Sequence, residues 1–326
     1  MSNQTVMEMV PMPMVFTTLA FSIVGFLGNG IIVLATFASP SLKNRCNILI
    51  CILATADFVV CGYLIQLRIQ MLKNWYFQKN SECFAHSIYG LFALNIQAGM
   101  GLILGIDRLF AVTLSVRYSR LPKRLYFVMM MFVLSYAALM TFYGYLDSSD
   151  VRVPICLPPT AYNKSSRLVW IGSNFLIAIM VIFVYGAAHM KCRVMRAQNT
   201  HEQSVERIRR LLYSLSIVMG VYTSTWFLTV IALLVTQLFS LSPSLIGEIN
   251  QQLGWLVIIN ASTNFFIYMW RAPEYRKAVL YLLCPTYKKK LTTDLQSFSM
   301  KSAKTVIVKR PIISKRFANC VNSDDH

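Results

Sequence analysis

An acid and a base stand next to each other at Asp107 and Arg108, at the end of a long apolar stretch. A carboxylate beside a guanidinium at the edge of a buried region forms an ion pair whose partners can be exchanged, which makes it a candidate conformational switch. The same pair could also be a plain interfacial salt bridge. The apolar stretches hold no nucleophile with a nearby base and no metal-spaced cluster of histidine, cysteine or carboxylate residues, so we predict no enzyme, cofactor or metal site.

A second candidate is Asp57, the only acid deep within an apolar stretch. An ionisable side chain at mid-membrane costs at least about 2.5 kcal/mol, so it persists only with a partner or a role. Amide side chains can hydrogen-bond a carboxylate, and we expect four around Asp57: Asn29, Gln97, Asn260 and Asn264. These amides could simply join helices. We favour a conformational role, because joining helices would not require a carboxylate.

Seven apolar stretches position these side chains, and each is long enough to cross a hydrocarbon core as a helix. They run over approximately 15–37, 48–71, 84–112, 125–146, 168–190, 211–239 and 249–270. The composition agrees, since 56% of residues are hydrophobic, 13% are charged and the mean hydropathy is +0.53. We therefore predict an all-α membrane protein, a seven-transmembrane helix bundle rather than several soluble domains.

The distribution of basic residues predicts the orientation, because lysine and arginine near helix ends stay on the cytoplasmic side. With the N-terminus outside, only six of the 31 basic residues fall in exterior segments: Arg68, Lys73, Lys79, Arg152, Lys164 and Arg167. The C-terminus is then cytoplasmic. The net charge of +18 reflects this topology and contact with an anionic lipid bilayer, and we predict no nucleic-acid partner. The expected location is the plasma membrane.

Features of the predicted exterior segments fit this orientation. Glycosylation sequons begin at Asn3 and Asn163, both in those segments. Of eight cysteines, only Cys83 and Cys156 lie where an oxidising compartment could join them, which predicts a disulfide, although Cys156 could be a free loop thiol. On the cytoplasmic side, Cys284 closes an amphipathic stretch and is a palmitoylation candidate.

The predicted bundle is the only folded unit. We expect residues 1–14 to form an extracellular N-terminus and residues 15–270 to form the bundle. Residues 271–284 start with a proline-led turn and alternate basic with apolar positions, which is typical of a short amphipathic helix on the membrane surface. Residues 285–326 are polar and basic, so we expect a disordered cytoplasmic tail.

Five short motifs occur in a fixed order on the predicted helices. They are Gly28-Asn29, Leu53-Ala54-Thr55-Ala56-Asp57, Trp75-Tyr76-Phe77 followed by Cys83, Asp107-Arg108-Leu109, and Asn264-Phe265-Phe266-Ile267-Tyr268. Together they resemble rhodopsin-like (class A) G-protein-coupled receptors, over residues 15 to about 284. The segment Asn44-Arg45-Cys46-Asn47-Ile48-Leu49, the Asp-Arg-Leu triplet and the proline-free motif of the last helix are most similar to nematode serpentine chemoreceptors of the Srsx class.

The resemblance implies that Arg108 acts as the switch. It would pair with Asp107 at rest, then meet a heterotrimeric G protein and the hydroxyls of Tyr185 and Tyr268 in the active state. It also implies regulation by an arrestin-type partner. Leu109 replaces the tyrosine usual in the family, so the details of the switch transfer less directly than the fold.

The resemblance further implies a path from the ligand to this switch. Asp57 and Asn264 would transmit movement, and Trp226 would lie beneath the ligand, although a tryptophan in an apolar helix can also serve packing alone. Gln97 stands where the family often has a small hydroxyl, and its bulk would fill the space of a sodium ion. Phe265 replaces the proline of the last helix.

The ligand cavity should open outward among the third, fifth, sixth and seventh helices. The candidate lining residues are His86, Gly90, Leu91, Leu94, Asn95, Trp170, Asn174, Thr229, Leu233, Asn250, Gln251 and Gly254. No acid faces this predicted cavity, so a cationic amine would be buried without a counter-ion. The apolar lining with amides and hydroxyls favours a small neutral or weakly polar ligand, and Arg68 or His86 at the rim could instead hold an anion.

The sequence therefore predicts a non-enzymatic chemoreceptor that binds a small extracellular ligand and activates a G protein through Asp107 and Arg108. A peptide-activated receptor is the alternative, and a receptor-like subunit without its own signalling also stays open. A channel or transporter would show repeated halves or several intramembrane charges along a path, and a single buried acid argues against both.

Overall fold

The computed structural model describes residues 11–114, 117–197, 220–221, 223–239 and 242–283. Its main helices are α1 (Met12–Ala38), α2 (Arg45–Leu72), α3 (Asn80–Thr113), α4 (Lys123–Leu146), α5 (Lys164–Ala197), α6 (Thr223–Leu238), α7 (Pro243–Arg271) and α8 (Pro273–Leu283). Six of them, α1 to α5 and α7, are long and apolar enough to cross a membrane, and the described part of α6 is a shorter apolar helix. The protein is thus an all-α membrane bundle.

Parts of several predictions lie outside the described residues. These are most of the N-terminal segment with the sequon at Asn3, the start of the sixth predicted span, Cys284, and the tail over 285–326. Residues up to Arg276 belong to one compact unit, and a second unit begins at Lys277. The described residues of the second unit, up to Leu283, are the remainder of α8.

Helix α3 lies at the centre of the bundle. It contacts α2, α4 and α5, while α1 contacts α2 and α7. Of the six candidate spans, α3 is the most buried and α4 the least. The outward face of α4 carries large exposed apolar side chains, as expected of a helix that meets lipid: Phe127, Phe132, Leu139 and Phe142. Residues on α3 can therefore contact several helices at once.

A loop between α4 and α5 is fixed against the N-terminal end of α3. Strand β1 (Gln78–Lys79) pairs antiparallel with β2 (Arg152–Val153). As the sequence predicts, Cys83 and Cys156 form a disulfide, with Cα atoms 5.6 Å apart. Asn80 donates to the carbonyls of Thr160 and Ala161 at 3.0 and 2.8 Å, which orients a one-turn helix at Pro158–Ala161. This loop forms part of the wall of a cavity described below.

Two glycines allow close contacts between helices. A Cβ at Gly28 on α1 would lie 2.7 Å from the Cβ of Phe265 on α7. Phe265, which stands in place of the family's proline, therefore packs against a helix that has no side chain at that point. A Cβ at Gly90 on α3 would overlap the ring of Tyr63 on α2, which is fully buried. Both contacts need glycine, because a protein interior has no spare volume for a methyl group.

Substituting alanine for Gly90 should therefore destabilise the protein by about 1–3 kcal/mol, because the Tyr63 ring has to move out of a packed position. The measurement is thermal unfolding of purified protein in detergent. The matched control is Gly172→Ala on α5, where an added Cβ meets nothing within 4 Å. The control should unfold at the wild-type temperature or above it, and equal melting temperatures for the two variants would contradict the packing argument.

Candidate functional site

The carboxylate of Asp107 accepts hydrogen bonds from three side chains. The Arg108 guanidinium donates through Nε at 3.1 Å and also through Nη2. On the other oxygen, the hydroxyls of Tyr118 and Tyr126 donate at 2.9 and 2.7 Å. Asp107 is fully buried and Arg108 nearly so. The ion pair predicted from the sequence is therefore formed and satisfied, with Arg108 held by its neighbour in the chain.

The sequence did not indicate the two tyrosines. Tyr118 lies in a short 3-10 turn after α3, and Tyr126 lies in the first turns of α4, so only tertiary structure brings them to Asp107. Arg45 fixes both, since it donates to the Tyr118 carbonyl at 3.1 Å and lies 5.6 Å from the centre of the Tyr126 ring. Burial, together with the charge of Asp107, raises the pKa of the Tyr118 phenol. The hydroxyl therefore remains a donor at physiological pH.

Tyr185 on α5 and Tyr268 on α7 are the two residues expected to meet Arg108 in an active state. Both side chains are buried, and neither hydroxyl has a hydrogen-bond partner among the described residues. Tyr185 lies within electrostatic range of Arg108. A buried hydroxyl without a partner costs about 1–3 kcal/mol. A rearrangement that supplied a partner to either hydroxyl would recover that free energy.

Asp57 joins three helices through two amides. Its Oδ1 accepts from Gln97 Nε2 on α3 at 2.6 Å, and its Oδ2 accepts from Asn264 Nδ2 on α7 at 2.5 Å. The expected shell of four amides is wrong in its other two members. Asn29 instead donates to the Gly25 and Ala261 carbonyls at 2.9 and 2.8 Å, joining α1 to the backbone of α7. Asn260 is buried and makes no bond to Asp57.

A cavity lies among α2, α3, α5, α6, α7 and the loop after α4. Six of the twelve predicted ligand-binding residues line it: Leu94, Trp170, Thr229, Leu233, Asn250 and Gly254. Trp226 also lines it, with its ring edge-on to Trp170 at a centroid distance of 6.4 Å. The position beneath a ligand which the resemblance implies for Trp226 stays a prediction.

Of the other six predicted lining residues, the five whose side chains are described do not line this cavity. His86 is exposed, with its ring against Trp75. Gly90 faces Tyr63, and Leu91 is buried outside the lining. The side chain of Gln251 lies outside the described residues. Helix rotation explains these errors, because a one-residue shift turns a side chain by about 100°.

Asn95 and Asn174 support the cavity wall from behind. Asn95 accepts from Trp170 Nε1 at 3.0 Å and donates to the Tyr162 hydroxyl at 3.2 Å. Asn174 donates to the Trp170 carbonyl at 2.8 Å. Tyr162 stacks on Trp170 with centroids 5.1 Å apart. The Trp170 indole is therefore held on its edge and on its face, which fixes the shape of the wall.

Two contributions to the cavity are absent from the sequence-based list. Helix α2 provides Leu64 and Arg68, and the loop after α4 provides Leu157, Pro158 and Pro159. Arg68, expected at the rim, is instead 1% exposed. The loop residues could have been anticipated from the predicted disulfide, since Cys156 joins that loop to Cys83 at the N-terminal end of α3.

The sequon at Asn163 is engaged in local structure. Its amide nitrogen, the atom that a glycan would modify, donates to the Asp147 carbonyl at 2.9 Å and to Ser149 Oγ at 3.2 Å. The side chain is half-buried. This geometry disfavours glycosylation at Asn163 in the folded protein.

Comparison with known protein families assigns the chain to one of them. The family model described as serpentine type 7TM GPCR chemoreceptor Srsx matches residues 22–283. No curated individual protein matches the sequence significantly. The matched range covers most of the chain, from within α1 to the end of α8, and includes both the Asp107–Arg108 pair and the cavity. The protein belongs to the Srsx family of serpentine seven-transmembrane chemoreceptors, a family of G-protein-coupled receptors.

Proposed function

We propose that the protein binds a small extracellular molecule in the outer cavity and activates a heterotrimeric G protein through the Asp107–Arg108 pair. The observation that carries this proposal is the buried Arg108 guanidinium, held by a carboxylate at one end of α3 while the same helix lines the cavity. A buried ion pair with exchangeable partners is a two-state element. A ligand that favours one state would shift its population.

Helix α3 connects the two sites directly. Leu94 lines the cavity and Arg108 follows fourteen residues later, which corresponds to about 21 Å along the helix axis. Gln97 lies between them and bonds Asp57, which also bonds Asn264 on α7. A displacement of α3 or α7 at the cavity would therefore strain this polar contact before it reached Arg108.

The lining of the cavity favours a small molecule over a peptide. It is largely apolar and aromatic with a few polar groups, as is typical of small-molecule sites. The loop over Leu157, Pro158 and Pro159 forms part of its wall. With the N-terminus outside and the C-terminus in the cytosol, the end of α3 that carries Arg108 would face the G protein, and an arrestin-type regulator would use the same side.

The test is a nucleotide-exchange assay on purified protein in lipid nanodiscs with a panel of Gα subunits and a small-molecule library. We expect at least one Gα subunit to release GDP about tenfold faster or more when the receptor and an activating compound are both present. The control is the same Gα with empty nanodiscs. Unchanged GDP release for every Gα and every compound would contradict the proposal.

A further inference from the structure

Arg68 is a cation buried inside the cavity wall. It lies near the outer end of α2 and is among the largest fully buried side chains of the described residues, with 1% exposure. Its guanidinium lines the cavity. A long side chain near a helix end usually extends to water and leaves its charge solvated. In this structure the charged group is instead directed inward.

The guanidinium has little to bind within the protein. Its Nη1 donates to the sulfur of Met71 at 3.2 Å, which is a weak acceptor. Its Nε has no hydrogen-bond partner among the described residues. No described carboxylate forms an ion pair with it, and the described cavity lining contains no acid. Of five N–H groups on a guanidinium, one is engaged, and only with sulfur.

Loss of a proton would remove the cost of burying a charge, but a guanidinium stays charged in proteins. A buried charge without a partner is strongly unfavourable, and structures normally supply a counter-charge. Gly254 on α7 lies close against the guanidinium, since a Cβ there would lie 3.1 Å from Nη2. Arg68 and Gly254 both line the cavity, so a ligand in the cavity would lie beside the guanidinium.

The rest of the cavity defines the ligand that would fit. The walls facing Arg68 are largely apolar and aromatic, with Leu94, Trp170, Trp226 and Leu233. Asn250 adds a buried carbonyl oxygen, Oδ1, with no hydrogen-bond partner among the described residues. A planar carboxylate accepts two parallel N–H groups of a guanidinium, and unlike sulfate or inorganic phosphate it can carry an apolar body that fills the rest of the cavity. The lining thus combines an anion site, an apolar volume and one acceptor.

We propose that the cavity takes a small organic acid, with its carboxylate held by Arg68 and its apolar body against the two tryptophans and the leucines of the wall. A hydrogen-bond donor on the ligand would reach Asn250. This inference rests on the proposed function, because it specifies the ligand class of the same cavity. It replaces the neutral or weakly polar ligand that the sequence favours, because the sequence places Arg68 at the rim and the structure places it within the wall.

Binding is tested with matched pairs of probes that differ only in charge, namely hexanoate against hexanamide and 3-phenylpropanoate against 3-phenylpropanamide. Affinities are measured on the full-length protein in nanodiscs without G protein. We expect at least one acid to bind about thirtyfold more tightly than its amide, because a buried charge left unpaired weakens binding by at least that factor. Sulfate alone should not reproduce the affinity of the acid, because it lacks the apolar body.

Arg68→Gln is the decisive variant, and Lys73→Gln is its control, since Lys73 is an exposed cation one residue beyond the same helix. Arg68→Gln should lose the preference for the acid while Lys73→Gln keeps it. In the absence of any ligand, Arg68→Gln should melt at the wild-type temperature or above it, because the change removes an unpaired buried charge. This melting curve also shows whether the variant is folded.

Each remaining outcome overturns the inference. Binding of neither acid, binding of sulfate without binding of an acid, or an acid preference that survives in Arg68→Gln would each exclude a carboxylate at Arg68. Failure of the proposed function is recognised separately. An acid that binds through Arg68 without stimulating any Gα supports the carboxylate site and contradicts the proposed signalling. A neutral compound that stimulates Gα, with no binding of either acid, supports the signalling and contradicts the carboxylate site.

Discussion

Arg108→Ala is expected to lower the activator-stimulated rate of GDP release from Gα by at least about a hundredfold, because losing one partner of a buried charged contact costs on the order of 3–5 kcal/mol. In the structure the guanidinium is held by Asp107, and the buried hydroxyls of Tyr185 and Tyr268 have no hydrogen-bond partner in the described part of the chain. The proposed active state transfers Arg108 from the carboxylate to these hydroxyls and to the G protein. An alanine can make none of those contacts.

The matched control for this change is Arg124→Ala, which removes an exposed arginine from the start of α4 at the same end of the bundle. A nonspecific electrostatic attraction between a basic surface and Gα would be weakened similarly by either substitution. A specific switch predicts a large effect at Arg108 and a small one at Arg124. A full response from Arg108→Ala would mean that the Asp107–Arg108 pair is a structural salt bridge.

Asp57→Leu is expected to destabilise the protein by about 2–4 kcal/mol, because it leaves the amides of Gln97 and Asn264 without their acceptor in a buried site. Interhelical hydrogen bonds in bilayers average about 0.6 kcal/mol when simply removed. The larger figure expected for Asp57→Leu therefore comes from the two orphaned donors rather than from the lost bonds. Thermal unfolding of the purified variant in detergent measures the change.

The control for Asp57→Leu is a triple variant that adds Gln97→Leu and Asn264→Leu. It should recover much of the lost stability, since no polar group is then left without a partner. If the network transmits movement, the recovered protein should still fail to stimulate GDP release. A triple variant that is both stable and fully active would show that Asp57 and its amides only hold helices together.

The sequence predicts the helices well, because hydropathy is a local property. It misplaces their ends by several residues: the second span, expected at 48–71, is Arg45–Leu72. Polar residues there extend the helix beyond its apolar stretch, and the Asn44 side chain caps it by accepting from the Asn47 backbone N–H at 2.9 Å. The pairing of Asp107 with Arg108 is equally local, since the two residues are neighbours in the chain.

Features that depend on how helices rotate and pack could not be predicted in the same way. Tyr118 and Tyr126 reach Asp107 only because α4 lies beside α3. Asn29 has the same amide as Gln97, but its position on α1 directs it to the backbone of α7. The depth of Arg68 is the largest difference. From hydropathy alone, an arginine near a helix end is expected to be exposed at the surface. In the structure the Arg68 side chain is buried in the cavity wall instead.

The central claim is that the outer cavity and Arg108 belong to one two-state system, and reciprocal coupling tests it most directly. Affinity of the wild-type receptor for an activating ligand is measured in nanodiscs with and without nucleotide-free Gα. Because coupling between two binding sites is reciprocal, Gα should tighten ligand binding by about 5–150-fold. Arg108→Ala should bind the ligand at its unassisted affinity and show no such shift. A ligand affinity that Gα leaves unchanged in the wild type would contradict the account.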